Sequence, residues 1–298
     1  MILTATAHAK INWGLNILGV LSNGYHDLDM LMQPISLSDA LTFAPADALT
    51  LTVNGAPGDA NDLVLKAARA LQEIAQAPES APCGARISLN KRIPARAGLG
   101  GGSADCAETL KALNQMWNLR LPLGELIRIG AKIGADVPFC LTGGLARVSG
   151  IGEKIEPLPG APRCALVLIT PGGGLSTPDV FREWDFLPSQ SPAHSPAQLA
   201  RAIANGDWRA AQALSFNALE APAIRLLPEI GEWIQKFRDC GAQYVRMTGS
   251  GSTVFGVFDS LETAERVAAQ WEGAIAAETI GLNPADANRF QSEQEDLP

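Results

Sequence analysis

The segment Gly98-Leu99-Gly100-Gly101-Gly102-Ser103 lies between a strand pattern over 85–91 and a helical pattern over 103–117, whose Cys106, Leu110, Leu113 and Trp117 fall on one side. Four glycines in five positions leave Leu99 as the one side chain able to hold a ligand off the backbone. The loop amides and the first free N–H groups of the helix then point at one place. The helix dipole adds partial positive charge there. Such a segment is a cradle for phosphate. No Gly-Lys-Ser/Thr follows the glycines, so it is not a Walker A loop. A dinucleotide fingerprint through Gly98, Gly100 and Ser103 fits poorly. Its third position is Ser, and no strand ending in an acid lies ~20 residues on. A flexible linker is disfavoured by the tight setting between strand and helix.

The rest of the chain restricts the fold around that loop. From residue 7 to 15, Ala7, Ala9, Ile11, Trp13 and Leu15 alternate with His8, Lys10, Asn12 and Gly14. A period of two predicts a half-buried strand with a polar face. Ser22-Asn23-Gly24 marks a turn, and strands are predicted over 29–37, 41–43 and 49–53. Helical spacing over 61–77 puts Leu63, Ala67, Ala70, Leu71 and Ile74 on one face. Further helices are predicted over 123–133 and from Gly134-Ala135-Asp136-Val137-Pro138, with strands over 145–148 and 154–156. Pro157 to Pro162 reads as a linker. Beyond it come a strand over 164–170, a second glycine-rich loop over 171–175 and a helix over 177–184. Residues 186–196 read as a long Ser- and Pro-rich loop. Helices over 197–205, 208–215 and 228–239, strands over 244–247 and 253–258, a helix over 261–271 and a strand over 274–280 follow. The polar, acidic tail from Asn283 is expected to fray. The order predicts an α+β protein of two lobes, 1–157 and 158–298, with a cleft between them, and not a doubly wound parallel sheet.

Charge narrows the ligand. The formal net charge is −8 and no Lys/Arg cluster stands out, so neither nucleic acid nor an anionic membrane is expected as a partner. Five scattered cysteines without a Cys-x-x-Cys pair predict neither a disulfide framework nor a zinc site, and suit a reducing cytoplasm. The first residues hold no basic stretch followed by an apolar one, and no run of ~18 apolar residues occurs, so neither a signal peptide nor a membrane span is expected.

Several residues outside the loop have both a plain and a chemical reading. Lys10 and Asn12 share the polar strand face with His8, which alone would be a solvated face. Asp136 precedes Val137-Pro138 and alone would be a helix N-cap. Ser176-Thr177 after a strand is ordinarily a cap as well. Tyr25 alone would be a packed surface aromatic. The turn Thr248-Gly249-Ser250-Gly251 would be a glycine-tolerant hairpin.

Taken together, these segments resemble the GHMP kinase superfamily, and within it the diphosphocytidyl-methylerythritol kinase family. The resemblance rests on five ordered blocks. They are Ala9-Lys10-Ile11-Asn12 with Gly24-Tyr25-His26-Asp27-Leu28, the Pro94-to-Ala104 loop, Gly134-Ala135-Asp136-Val137-Pro138-Phe139, Ser176-Thr177 with Val180-Phe181, and Met247 to Phe255. Asn217-Ala218-Leu219-Glu220 also fits. The resemblance implies a two-lobed fold with a ribosomal-protein-S5-domain-2-like N-terminal lobe and a ferredoxin-like C-terminal lobe. It implies a cytoplasmic, monomeric or weakly dimeric kinase using ATP and Mg²⁺ on a cytidine diphosphate derivative of methylerythritol. Asp136 and Lys10 would be catalytic. Lys91 and the loop Pro94, Ala95, Arg96, Ala97, Gly98, Leu99, Gly100, Gly101, Gly102, Ser103 and Ala104 would hold ATP, with Ser103 a contact for the metal. Asn12, Tyr25, His26, Ser176, Thr177, Phe181 and Gly249 would hold the acceptor, Phe181 and Tyr25 sandwiching the base. The chain departs from the family at Ala104, where a second serine is more usual, and at Asn61-Asp62, which reverses the family's Asp-Asn before Leu. A homoserine- or mevalonate-type kinase, an inactive binding protein of the same fold and a dinucleotide-dependent oxidoreductase are the rival readings.

Overall fold

The computed structural model describes residues 2–75, 83–160, 162–187, 195–281 and 291–293. Two long strands, β1 (Ile2–Val20) and β2 (His26–Ala46), form an antiparallel hairpin around the turn at Gly24. The separate strands predicted over 29–37 and 41–43 are parts of one. β2 persists because it has partners along both halves on its second edge: β5 (Gly84–Asn90) at residues 40–46 and β6 (Ala146–Gly150) at residues 28–32. Register shifts between His8 and Lys10, Asn12 and Gly14, and Ile17 and Gly19 let so long a hairpin bend. β3 (Thr50–Val53) adds parallel to β5, β4 (Ala56–Pro57) pairs with β3, and β7 (Lys154–Pro157) pairs with β6.

Against this sheet pack α1 (Leu63–Ala75), α2 (Gly101–Met116), α3 (Leu123–Ile133) and α4 (Val137–Thr142). The inner face of α1 differs from the predicted one. Val64, Leu65, Ala67, Ala68, Leu71 and Ala75 are buried, while Ile74 is 43% exposed. Ala67 and Ala68 share one buried cluster with Ala104 and Ala107 of α2, and small side chains on this face permit close helix packing. α2 is buried on most of its circumference, which fixes the start of the helix, and with it the glycine loop, against the sheet.

The second lobe is built on β8 (Ala165–Ile169), a continuous apolar run buried throughout. A short 3₁₀ turn, Pro171–Gly173, leads to α5 (Thr177–Asp185). α6 (Pro196–Ala204), α7 (Trp208–Leu214), α8 (Glu220–Leu226) and α9 (Glu229–Asp239) follow. β9 (Tyr244–Met247), β10 (Val254–Phe258), α10 (Leu261–Ala268) and β11 (Ile275–Glu278) complete it. The sheet is antiparallel in the order β11-β8-β10-β9. Most of the 186–196 loop lies outside the described residues. The tail, expected to fray, supplies β12 (Gln291–Glu293), which pairs with β1 at Ile2–Thr4 and satisfies edge groups there. No helix among the described residues is long and apolar enough to cross a membrane.

β1 belongs to both lobes. The Leu15 amide donates to the Phe216 carbonyl at 2.7 Å, and the Ala218 amide to the Leu15 carbonyl at 2.9 Å. Trp13 packs edge-on against Tyr244 and Phe255, at 5.3 and 5.6 Å between ring centroids. The half-buried strand of the sequence reading is therefore covered on both faces, Lys10 and Asn12 included.

Candidate active site

A cleft of about 1090 Å³ lies between the lobes, with the glycine loop along its floor. Positive φ at Gly98 and Gly100 turns the chain sharply into α2. A Cβ on Gly98 would stand 2.2 Å from the Thr248 carbonyl oxygen, so the loop and the 248–251 turn of the other lobe touch backbone to backbone. Gly100 occupies the N-cap position of α2 without a side-chain cap bond. The amides of Gly101, Gly102 and Ser103 thus have no acceptor within the helix and face the cleft end of its dipole.

Lys10 is only 4% exposed. Its Nζ donates to Asn12 Oδ1 at 2.7 Å and to the Gly98 carbonyl at 2.9 Å, and lies 3.5 Å from Asp136 Oδ2. Three acceptors match the three donors of an ammonium. Asp136 stands at the N-cap of α4 but makes no side-chain cap bond, contrary to the cap reading; its carboxylate turns to Lys10. The pair is held from both lobes. Thr248 Oγ1 accepts the Asn12 amide at 2.9 Å, and Asn217 Nδ2 donates to the Met247 and Gly249 carbonyls at 2.8 and 2.9 Å. The pair thus places a buried ammonium beside a partly exposed carboxylate at the cleft wall.

The other residues read from sequence divide into three groups. Lys91, Pro94, Ala95, Arg96, Ala97, Gly98, Leu99, Gly100, Gly101, Gly102 and Ser103 line the cleft, as do Asn12, Thr177, Phe181 and Gly249. Ala104 does not. It is buried in the helical core with Ala67, so a second serine hydroxyl here would face the core and not the cleft. Tyr25, His26 and Ser176 stand outside the lining. Among the described residues the ring packed against Phe181 is His26, tilted by 31° at 4.5 Å between centroids, while Tyr25 is 61% exposed. His26 Nε2 also meets Asp185 Oδ1 at 2.8 Å, and Trp184 packs edge-on against the His26 ring. Ser176 occupies the N-cap of α5 without a side-chain cap bond. The swapped Asp62 caps α1 locally, accepting the Val64 amide at 2.8 Å, and lines the cleft with Asn61.

Asp39 and Asp105 were not anticipated. Asp39 is fully buried and accepts the amides of Arg92 and Ile93 at 2.5 and 2.8 Å, besides the Lys91 ammonium. Lys91 also donates to Asp105 Oδ2 at 2.7 Å. Burial pushes the Asp105 carboxyl up to about 7, with Lys91 opposing. Burial pulls the Lys91 ammonium down, yet Asp105 and Asp39 together hold it above its usual value. One sequence signal for Asp39 exists. Ile35, Leu37, Leu41 and Phe43 make an apolar period of two, and Asp39 falls in register with them.

A buried Lys–Asp pair thus lies beside a glycine-rich helix start, in a cleft between two α+β lobes. The chain matches the family models described as GHMP kinases N terminal domain, over residues 62–144, and GHMP kinases C terminal, over residues 199–276. It is 44% identical over 277 residues to a protein of Pelotomaculum thermopropionicum named 4-diphosphocytidyl-2-C-methyl-D-erythritol kinase, covering 91% of this chain and 94% of that one. A Moorella thermoacetica protein of the same name is 42% identical, covering 90% and 94%. A crystal structure of 4-(cytidine 5'-diphospho)-2C-methyl-D-erythritol kinase superposes with a TM-score of 0.78 at 36% identity, covering 94% of this chain and all of that one. A homoserine kinase from Cytophaga hutchinsonii reaches a TM-score of 0.72 at 18% identity, a likeness of fold alone, over 95% of this chain and 96% of that one. The protein is thus a GHMP-type small-molecule kinase. Within that class the chain belongs to the 4-diphosphocytidyl-2-C-methyl-D-erythritol kinase family.

Proposed function

We propose that this chain transfers the γ-phosphoryl group of ATP to the 2-hydroxyl of 4-diphosphocytidyl-2-C-methyl-D-erythritol, a step of the non-mevalonate route to isoprenoid precursors. The observation that carries the chemistry is the Lys10–Asp136 pair, 3.5 Å apart beside the glycine loop. In this reading the amides at the start of α2 and Lys10 stabilise the charge that spreads over the phosphoryl oxygens in the transition state. Asp136 orients the acceptor hydroxyl and takes its proton, with the Lys10 ammonium 3.5 Å from its carboxylate. The cytidine end is assigned to the mouth of the cleft, where Phe181 and His26 offer a ring face and a hydrogen-bonding edge, and Tyr25 is exposed beside His26 in sequence. We assign the activity to the cytoplasm, whose reducing conditions suit the scattered cysteines.

Magnesium fits as a companion of the nucleotide. Among the described residues no group of three His, Cys, Asp or Glu side chains stands ready to hold a metal. Mg²⁺ needs few protein ligands when phosphates supply the others. Ser103, in the first turn of α2 and lining the cleft, is the residue that would hold it. Bound there, the ion would neutralise phosphate charge.

A panel of alcohol acceptors with ATP tests the reading. The cytidine-diphosphate acceptor should be phosphorylated with a kcat/KM at least 100-fold above homoserine or mevalonate, by the scale on which unpaired polar groups discriminate substrates, ~10²–10⁵-fold. Preference for either of the other two alcohols would overturn it. Within the same reading, Phe181→Ala should raise the acceptor KM by about 10-fold, in keeping with ~1–3 kcal/mol for a stacked base. The ATP KM should stay within about twofold in steady-state assays.

A further inference from the structure

The glycine loop is fastened at both ends by one chain of charges that touches no part of the cleft's Lys10–Asp136 pair. At the entry, Asp39 reaches across from β2 with no exposed surface and receives the amides of Arg92 and Ile93, the last two residues before the loop. Its other oxygen receives the Lys91 ammonium. At the exit, Lys91 donates to Asp105 of α2, four residues past the first glycine of the helix. A Cβ on Gly101 would lie 3.3 Å from Lys91 Nζ, so the bridge runs directly beneath the loop. The Lys91 amide is itself held by Asn54 Oδ1 at 2.8 Å. A carboxylate this buried is costly unless its oxygens find donors, and here two amides serve one oxygen and an ammonium the other. The loop between residues 93 and 101 is otherwise glycine-rich chain with high conformational freedom.

We infer that Asp39 is a positioning residue for nucleotide binding: it sets the loop's amides in the phosphate-binding arrangement before ATP arrives, acting through Lys91 and Asp105. The inference rests on the assignment of ATP to the loop, and it predicts an effect on nucleotide affinity separate from the acceptor and from turnover. Asp39→Asn keeps the shape and still offers one oxygen to the two amides. Its amide group, however, faces the Lys91 ammonium donor against donor, and the link from entry to exit is lost.

The test is titration of wild type and Asp39→Asn with a non-hydrolysable ATP analogue, paired with steady-state kinetics and thermal melting. The expected result is an analogue Kd at least 10-fold weaker in the variant, and an ATP KM raised in step. The acceptor KM should stay within about twofold, and kcat at saturating ATP should fall by less than about threefold. Equal analogue affinity, or equal losses in both KM values, would overturn the inference, because a merely structural role lowers the melting temperature without singling out ATP. Wild type failing to bind the analogue would instead refute the assignment of ATP to the loop. If Asp39→Asn gives no cooperative melt, Asp105→Asn takes its place, with at least threefold weaker analogue binding expected and unchanged binding again decisive against the clamp.

Discussion

Asp136→Asn should lower kcat by about two to four orders of magnitude, the range that general acid–base groups supply, while leaving ATP affinity within about threefold. The substitution keeps the side chain's shape and removes the carboxylate to which the proposed mechanism gives the hydroxyl proton. It should also leave stability nearly untouched. Asp136 sits at a helix N-cap yet makes no cap bond, so no capping contribution is lost. Single-turnover assays with both substrates, a nucleotide titration and a melting curve separate the three quantities. Turnover near the wild-type rate would remove Asp136 from the chemistry. A large drop in melting temperature would instead assign it to the scaffold.

Gly98→Ala should be the most damaging single change in the loop. The residue has φ +74°, a conformation that L side chains rarely adopt, and the new Cβ would lie 2.2 Å from the Thr248 carbonyl oxygen. The same residue's carbonyl accepts from Lys10 at 2.9 Å and from Thr248 Oγ1 at 3.3 Å. Relief of the clash therefore separates the loop from the opposite lobe and withdraws an acceptor from Lys10. Strain and lost contacts of this kind cost about 3 kcal/mol, read as a lowered unfolding midpoint, with ATP affinity falling together with it. Gly102→Ala is the control. It sits inside α2, where the nearest foreign atom to the new Cβ is Leu63 Cδ1 at 3.5 Å, an ordinary contact, and its unfolding midpoint should match or exceed wild type. A Gly98→Ala protein as stable as the Gly102→Ala control would contradict the backbone contact between lobes.

The difference between what the sequence made legible and what it concealed follows from distance along the chain. The glycine loop, α3 and the strand carrying Lys10 are local patterns, and each was readable from a period or a run of residues. So was Asp136, through its neighbours Val137-Pro138-Phe139. The face of α1 was misread because it depends on which helix alanines 67 and 68 lie against, and that partner is set by α2. Ala104 reads as part of the phosphate loop by adjacency to Ser103. Yet one residue along a helix turns the side chain by about 100°, and that rotation carries it into the core. The union of His26 with Phe181 joins residues 155 positions apart, and Asp39 with Lys91 joins residues 52 apart, so neither pairing has a local signature. Asp39 did leave a trace, a charged residue on the apolar beat of a strand, which is a buried polar group awaiting partners.

The position of β1 in both lobes limits how this enzyme can breathe. Its residues 10–12 carry Lys10 and the asparagine bonded to it, and three residues further on the same strand is bonded to the far lobe through Leu15. The strand is a stiff beam running through the hinge. Swinging the lobes apart would break those backbone bonds and pull Trp13 from its aromatic seat. Widening the cleft by a rigid swing of the lobes would therefore cost backbone bonds and aromatic contacts already made in the folded chain.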